Sequence, residues 1–213
     1  MSPRGWFITL EGIEGAGKTT AAACVVDWLT ARGKTVVQTR EPGGTPVAES
    51  IRQLVLTAGD EPIAPEAELL LMFAARAQHM HYRILPALAR DEAVVCDRFT
   101  DSSRAYQGAG RGLDAGLIET LAQTVEQGRS PDMTLLLDLP VATGMVRAAA
   151  RRGAAQQDRF EQERAAFFER VRAGFLAIAE RHPRVAVIDA AAPLPTVRAA
   201  IEQALAARFG QGG

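Results

Sequence analysis

The run Gly12-Ile13-Glu14-Gly15-Ala16-Gly17-Lys18-Thr19 satisfies G-x-x-x-x-G-K-[ST] at every defined position. Spacing of this kind binds phosphate. Glycines let successive backbone N–H groups wrap an anion without Cβ clashes, and the start of the helix that follows adds positive potential. Within the cradle from Gly12 to Thr20, Lys18 is placed to reach the β- and γ-phosphates of ATP. The Thr19 hydroxyl is placed to ligate Mg²⁺. Downstream, Ala93-Val94-Val95-Cys96-Asp97 is an apolar run closed by a carboxylate, and Arg98 follows at once. Asp97 has two readings: it holds Mg²⁺ or the ion's water, or it holds Arg98 in place.

These groups need elements to position them. Five short apolar runs read as buried strands: Trp6–Leu10, Thr35–Thr39, Ala93–Cys96, Met133–Leu137 and Val185–Ile188. Helical patterns lie between them at Lys18–Arg32, Val47–Thr57, Pro65–Ala89, Asp114–Gln127, Val141–Arg152, Asp158–Arg181 and Pro195–Phe209. Pro65 and Pro195 suit helix starts, and Pro86 is expected to kink or end the third helix. Strand and helix in alternation predict a doubly wound α/β domain, its parallel sheet covered on both faces. Every strand exits into a charged residue: Glu11, Arg40, Asp97 with Arg98, Asp138 and Asp189. Ligands bind at that edge in an open parallel sheet. Asp138 and Asp189 read equally well as charges that mark where a strand leaves the core.

The totals exclude other classes. A chain of 213 residues suits one domain, residues 1–213, with a mobile lid at about 147–160. A net charge of −1, spread along the chain, argues against a bulk electrostatic grip on nucleic acid or an anionic membrane. The apolar stretches fall far short of the roughly 20 residues that span a bilayer, and Met1 to Trp6 lacks the apolar run of a secretory signal. A cytoplasmic protein is expected. Cys24 and Cys96 read as buried, reduced thiols, and His79 and His81 are too differently aimed on a helix to share a metal.

The chain resembles bacterial thymidylate kinases over nearly its whole length. The resemblance is carried by Leu10-Glu11-Gly12 through Thr20, by Thr39-Arg40-Glu41-Pro42-Gly43-Gly44-Thr45 and by Leu71-Met72-Phe73-Ala74-Ala75-Arg76-Ala77-Gln78. Asp97-Arg98-Phe99, Ala105-Tyr106-Gln107-Gly108, Gly110-Arg111-Gly112 and Asp158-Arg159-Phe160-Glu161 complete it. It implies a P-loop fold of strand order 2-3-1-4-5 and in-line transfer of the γ-phosphoryl group from Mg·ATP to dTMP. It also implies a homodimer, for which the apolar Pro65–Ala77 stretch is the expected interface.

The same resemblance implies roles for the acceptor residues. Phe73 stacks on thymine and Arg76 donates to its exocyclic oxygen; read without it, Phe73 is core and Arg76 a solvated charge. Arg40 and Arg98 grip the acceptor phosphate through guanidinium forks. Glu11 lies near the acceptor sugar and the metal. Ser102, Ser103, Tyr106 and Gln107 form a polar turn touching base and sugar, with Tyr106 closing off the 2′ position; the two serines read equally well as helix caps. The phosphate loop carries no arginine, which points to the lid for one. Arg147, Arg151 and Arg152 flank Gly153-Ala154-Ala155-Gln156-Gln157, with Arg151 the first candidate and Arg147 in support. Other readings are a different nucleoside or monophosphate kinase, and a nucleotide-switch protein without catalysis. Arg40 and Arg98 favour a phosphorylated acceptor.

Overall fold

A computed structural model describes residues 5–57, 61–152 and 159–210. Five strands form one parallel sheet: β1 (Phe7–Glu11), β2 (Val36–Arg40), β3 (Ala93–Asp97), β4 (Met133–Asp138) and β5 (Val185–Asp189). Their order is β2-β3-β1-β4-β5, as the resemblance implied. The three central strands are buried nearly throughout, which is why their sequences are runs rather than alternations. The register sets Leu10 beside Asp97 and Arg40 beside the same Asp97, so the charged exits share one edge.

Residues alternate between the two faces of a strand. Ile8, Leu10 and Val95 pack with Val25 and Leu29 of α1 (Lys18–Thr30) on one face. Phe7, Val94 and Cys96 pack with Met80, Ile84 and Leu88 on the other. Caps start the helices where side chains supply an acceptor. Thr45 accepts the Ala48 N–H at the head of α2 (Pro46–Leu56), and Asp114 accepts the Leu117 N–H at the head of α6 (Ala115–Glu126).

Two segments differ from the sequence reading. The stretch expected as one helix over Pro65–Ala89 is α3 (Pro65–His79), a π-helical turn over Met80–Ile84, and α4 (Leu85–Ala89). Pro86 has no N–H to give the preceding turn, and the Leu85 N–H bonds to the Met80 carbonyl five residues back. The expected polar turn at Ser102–Gln107 is helical. It consists of α5 (Thr100–Ser103) and a π-helical segment over Arg104–Gly110. Packing overrides the two glycines there: a Cβ on Gly110 would lie 2.7 Å from Phe167, on α8 (Arg159–Arg181). The remaining helices are α7 (Val141–Arg152) and α9 (Leu194–Phe209).

Candidate active site

The site is built at the carboxyl edge of the sheet. Gly12, Gly15 and Gly17 all hold positive φ, so the loop between β1 and α1 turns its backbone in a way side chains resist. Thr19 and Thr20 are exposed at the head of α1. Lys18 Nζ donates to the carbonyls of Gly12 and Ile13, at 3.2 and 3.0 Å, curling over its own loop. Burial, reinforced by the Arg98 charge, pushes the Lys18 ammonium down to about 7.

Glu11 is fully buried at the end of β1. Its carboxylate accepts from the Phe99 N–H at 2.8 Å, the Ser102 N–H at 3.2 Å and the Ser102 hydroxyl at 2.6 Å. Burial and then the neighbouring Asp101 charge push its pKa up to about 7, against the pull of Arg98, the Ser102 hydroxyl and the Phe99 N–H. Arg98 sits at φ 70°, a conformation few non-glycine residues adopt. It donates to Ser102 Oγ and to Tyr106 Oη, both at 3.1 Å, with its guanidinium 4.9 Å from the Tyr106 ring centre. Asp97 adds to the charges that hold Arg98 protonated, though no hydrogen bond joins the two among these contacts. Oδ1 of Asp97 is a buried oxygen without a hydrogen-bond partner, which suits a group waiting for a cation or its water.

The residues expected at the acceptor base come together beside this cluster. Arg76 is buried and anchored three ways: Nε to Glu41 at 2.7 Å, Nη1 to Ser103 Oγ at 3.2 Å and Nη2 to the Phe99 carbonyl at 3.1 Å. The solvated-charge reading therefore fails. A guanidinium has five N–H donors, so two remain for a ligand. Phe73 packs with Leu69, Ile118 and Ala122, and its ring lies 4.6 Å from the Arg76 guanidinium. Gln107 is engaged by Glu68 at 2.8 Å.

Arg40 is half-exposed and turned onto Glu49 Oε2 and the Pro42 carbonyl, at 2.9 and 2.8 Å. Beside it stands Arg52 of α2, which also donates to the Pro42 carbonyl and which the sequence reading missed. Burial and the adjoining Arg40 and Arg98 charges hold its pKa below the usual arginine value. Only its place on the same helix face as Glu49, three residues away, hinted at it. Glu41 was missed too. One of its oxygens takes Arg76 and the other lies 2.9 Å from His79 Nδ1, while His79 Nε2 lies 2.7 Å from Thr39 Oγ1. Cys96 Sγ lies close to this pair, but Glu41 already spends both oxygens on Arg76 and His79. Both cysteines are free and buried.

Arg147, Asp138 and Asp189 have partners of their own. Arg147 Nη1 donates to the Ala190 carbonyl at 2.8 Å and lines a 540 Å³ cavity with Gly17, Thr20, Leu194 and Pro195. The Arg151 side chain lies outside the described residues, as does the loop that follows it. Asp138 and Asp189 serve the scaffold: Asp138 takes a two-pronged pair from Arg172 at 2.7 and 2.8 Å, and Asp189 accepts the Ala191 N–H.

With this geometry in place, comparison with known proteins is direct. A protein-family model described as thymidylate kinase matches residues 10–201. Thymidylate kinase of Chromohalobacter salexigens is 59% identical over 211 residues, covering 98% of each chain. That of Alkalilimnicola ehrlichii is 56% identical, covering 95% of this chain and 93% of its own. The crystal structure of thymidylate kinase from Ehrlichia chaffeensis superposes with a TM-score of 0.76 at 35% identity, covering 95% of this chain and 99% of that one.

Proposed function

The chain belongs to the thymidylate kinase family, and from that premise we propose that it transfers the γ-phosphoryl group of ATP to dTMP, giving dTDP and ADP for dTTP synthesis. The observation that carries the reading is the convergence of two sites on one sheet edge. A complete phosphate loop ends within electrostatic reach of Arg98, Glu11 and Asp97, and these adjoin a buried arginine with donors to spare.

The reaction is an in-line displacement. An oxygen of the dTMP phosphate bonds to the γ-phosphorus while the bond to the ADP oxygen breaks, and no covalent enzyme intermediate is needed. The loop N–H groups and Lys18 hold the triphosphate. Lys18, poised near 7 beside Arg98, becomes more firmly protonated when phosphate charge arrives. Arg98, Arg40 and Arg52 supply guanidinium forks for the acceptor phosphate. Arg76 and Phe73 read the base, and Tyr106 crowds a 2′-hydroxyl; Glu11, Ser102 and Ser103 hold the floor of the acceptor site. Mg²⁺ bound with ATP neutralises triphosphate charge, and the Thr19 hydroxyl and the unpaired oxygen of Asp97 are the groups suited to hold it or its water. Arg151, supported by Arg147, is the lid arginine proposed for the migrating phosphoryl group; Arg147 lines a cavity that the phosphate-loop residues Gly17 and Thr20 also line.

The lid is the segment at about 147–160 of a single domain. No helix among the described residues is long and apolar enough to cross a membrane, and two unpaired thiols suit a reducing cytoplasm. A homodimer is supported by Leu54, Leu70 and Leu117, exposed on α2, α3 and α6, which pack side by side.

ADP release at fixed Mg·ATP tests the assignment across an acceptor panel. dTMP is expected to exceed dUMP by about 10–200-fold in kcat/KM, the worth of a methyl group in an apolar pocket. dCMP should fall further, because Arg76 can only donate and cytosine presents an amine. Lys18→Ala should fold and lose about 100–1000-fold in turnover. Equal use of dCMP and dTMP would overturn the base site, and normal turnover by folded Lys18→Ala would overturn the kinase reading.

A further inference from the structure

The segment Arg98–Tyr106 is the hub of the acceptor site. It carries Arg98, the three donors to Glu11, and the Phe99 carbonyl and Ser103 hydroxyl that hold Arg76. All of these engage Glu11, Arg76 or the Arg98 cluster. Asp101, in the middle of the same segment, is buried and tied elsewhere. Its two oxygens take a parallel pair of bonds from Arg184, Nη1 to Oδ2 at 2.7 Å and Nη2 to Oδ1 at 2.8 Å. Arg184 stands in the turn between α8 and β5, and its Nη1 also donates to Thr134 Oγ1 of β4 at 2.6 Å. Thr134 in turn bonds to Thr9 Oγ1 of β1 at 2.7 Å. Arg104 adds a third bond to Asp101 at 2.9 Å and is itself clamped by Glu119 of α6 at 2.7 and 2.8 Å.

We propose that Asp101 and Arg184 are a positioning pair for the acceptor site: their bidentate bridge ties the Arg98–Tyr106 hub to the sheet and to the end of α8, and so holds Glu11, Arg98 and Arg76 in register. The inference rests on the acceptor-site reading above. The reason for an ion pair here is orientation. A bidentate carboxylate–guanidinium bond fixes direction as well as distance, which an apolar contact does not. α5 is the first turn of a helical stretch that runs on into the π-helical segment Arg104–Gly110, and Asp101 anchors that leading turn. A displacement of about 1 Å in a positioned group can cost on the order of a hundredfold in rate. Asp101 touches no reacting atom; it acts through the residues its segment carries and, by its charge, on Glu11.

The test is steady-state kinetics of the full-length enzyme with dTMP and ATP varied separately, alongside circular dichroism and Tm. Wild-type turnover of dTMP is measured first, and its absence would count against the kinase reading rather than this pair. Arg184→Lys keeps the charge and loses the fork; Arg184→Met loses both. The KM for dTMP should rise in that order, reaching at least about tenfold in Arg184→Met, with the KM for ATP within about twofold of wild type. Asp101→Asn should match Arg184→Met. The double variant Asp101→Asn/Arg184→Met should be no worse than the poorer single variant, because both remove one interaction. If Asp101→Asn does not fold, the Arg184 series decides alone. Lower Tm with an unchanged KM for dTMP overturns the proposal, since the pair would then be scaffold only. An equal rise in both KM values, or additive losses in the double variant, overturns it as well.

Discussion

Glu11 shows how much a single residue's surroundings decide. As a strand-end carboxylate it is legible in the sequence; its burial and its three donors from Phe99 and Ser102, 88 and 91 positions away, are not. The consequence is a measurable pH dependence of stability. The folded-state pKa is raised to about 7, above the value near 4.5 expected of the unfolded chain. Between those values the folded state binds more protons than the unfolded one, so Glu11 costs stability as pH rises through the window. Glu11→Gln carries no such cost. At pH 8 the variant should therefore be more stable than wild type by on the order of 3 kcal/mol, or about 6–12 °C in Tm for a chain of this size. The difference should vanish near pH 4, where both side chains are neutral. A Tm difference that did not change between pH 4 and pH 8 would mean that Glu11 is not held as the structure places it. The variant should also lose turnover, because a carboxylate that survives at such cost is kept for the site.

At the scale of elements, the phosphate loop and α7 meet backbone to backbone. A Cβ on Gly15 would collide with the Gly144 carbonyl, and a Cβ on Gly144 would lie 2.8 Å from the Glu14 carbonyl and 2.9 Å from Ile13 Cδ1. Gly144 lies within helix α7, away from the positive-φ positions, so alanine suits its backbone and the clash falls wholly on the loop. Gly144→Ala is therefore expected to keep the fold and raise the KM for ATP about tenfold or more, while the affinity for dTMP, measured by calorimetry, stays near wild type. Matching losses for both ligands would mean that the two sites do not separate at this contact. The motif alone announced the loop; nothing in the sequence announced what it rests on. The same holds for Pro86, whose missing N–H was legible, while its outcome as a π-helical turn upstream depended on how the flanking helix packs against Phe7 and Val94.

For the whole molecule, the helices on one side of the sheet leave apolar surface uncovered. Leu54, Leu70 and Leu117 are 57%, 55% and 41% exposed on α2, α3 and α6. Single exposed leucines are ordinary; these three sit on helices that adjoin as α2–α3–α6 and are therefore the positions at which a dimer contact is tested. Sedimentation velocity is expected to give twice the 22.8 kDa chain mass for the wild type. Leu70→Asp, which places a charge in that face, should give the single-chain mass with its circular dichroism unchanged. A wild-type monomer, or a variant that stays dimeric, would remove this face from the account.

By itself the sequence determined the phosphate loop, the strand-helix alternation and the charged strand exits. Each of these is local: a motif of eight residues, a run of five, a residue beside its neighbour. Hydrophobic periodicity and glycine conformation act over such distances, so they can be read in order along the chain. What only the tertiary structure decided are the partners. Arg76 was read as solvated or base-binding, and the structure holds it through Glu41, Phe99 and Ser103. Arg147 was read as a lid arginine in support of Arg151, and its contact with the Ala190 carbonyl, 43 residues on, was not in the sequence. Asp101 had no reading until Arg184, 83 residues on, closed around it. A charged side chain is long and its burial is costly, so where it ends depends on which opposite charge the fold brings within about 3 Å. That is a property of the folded chain, and spacing along the sequence does not contain it.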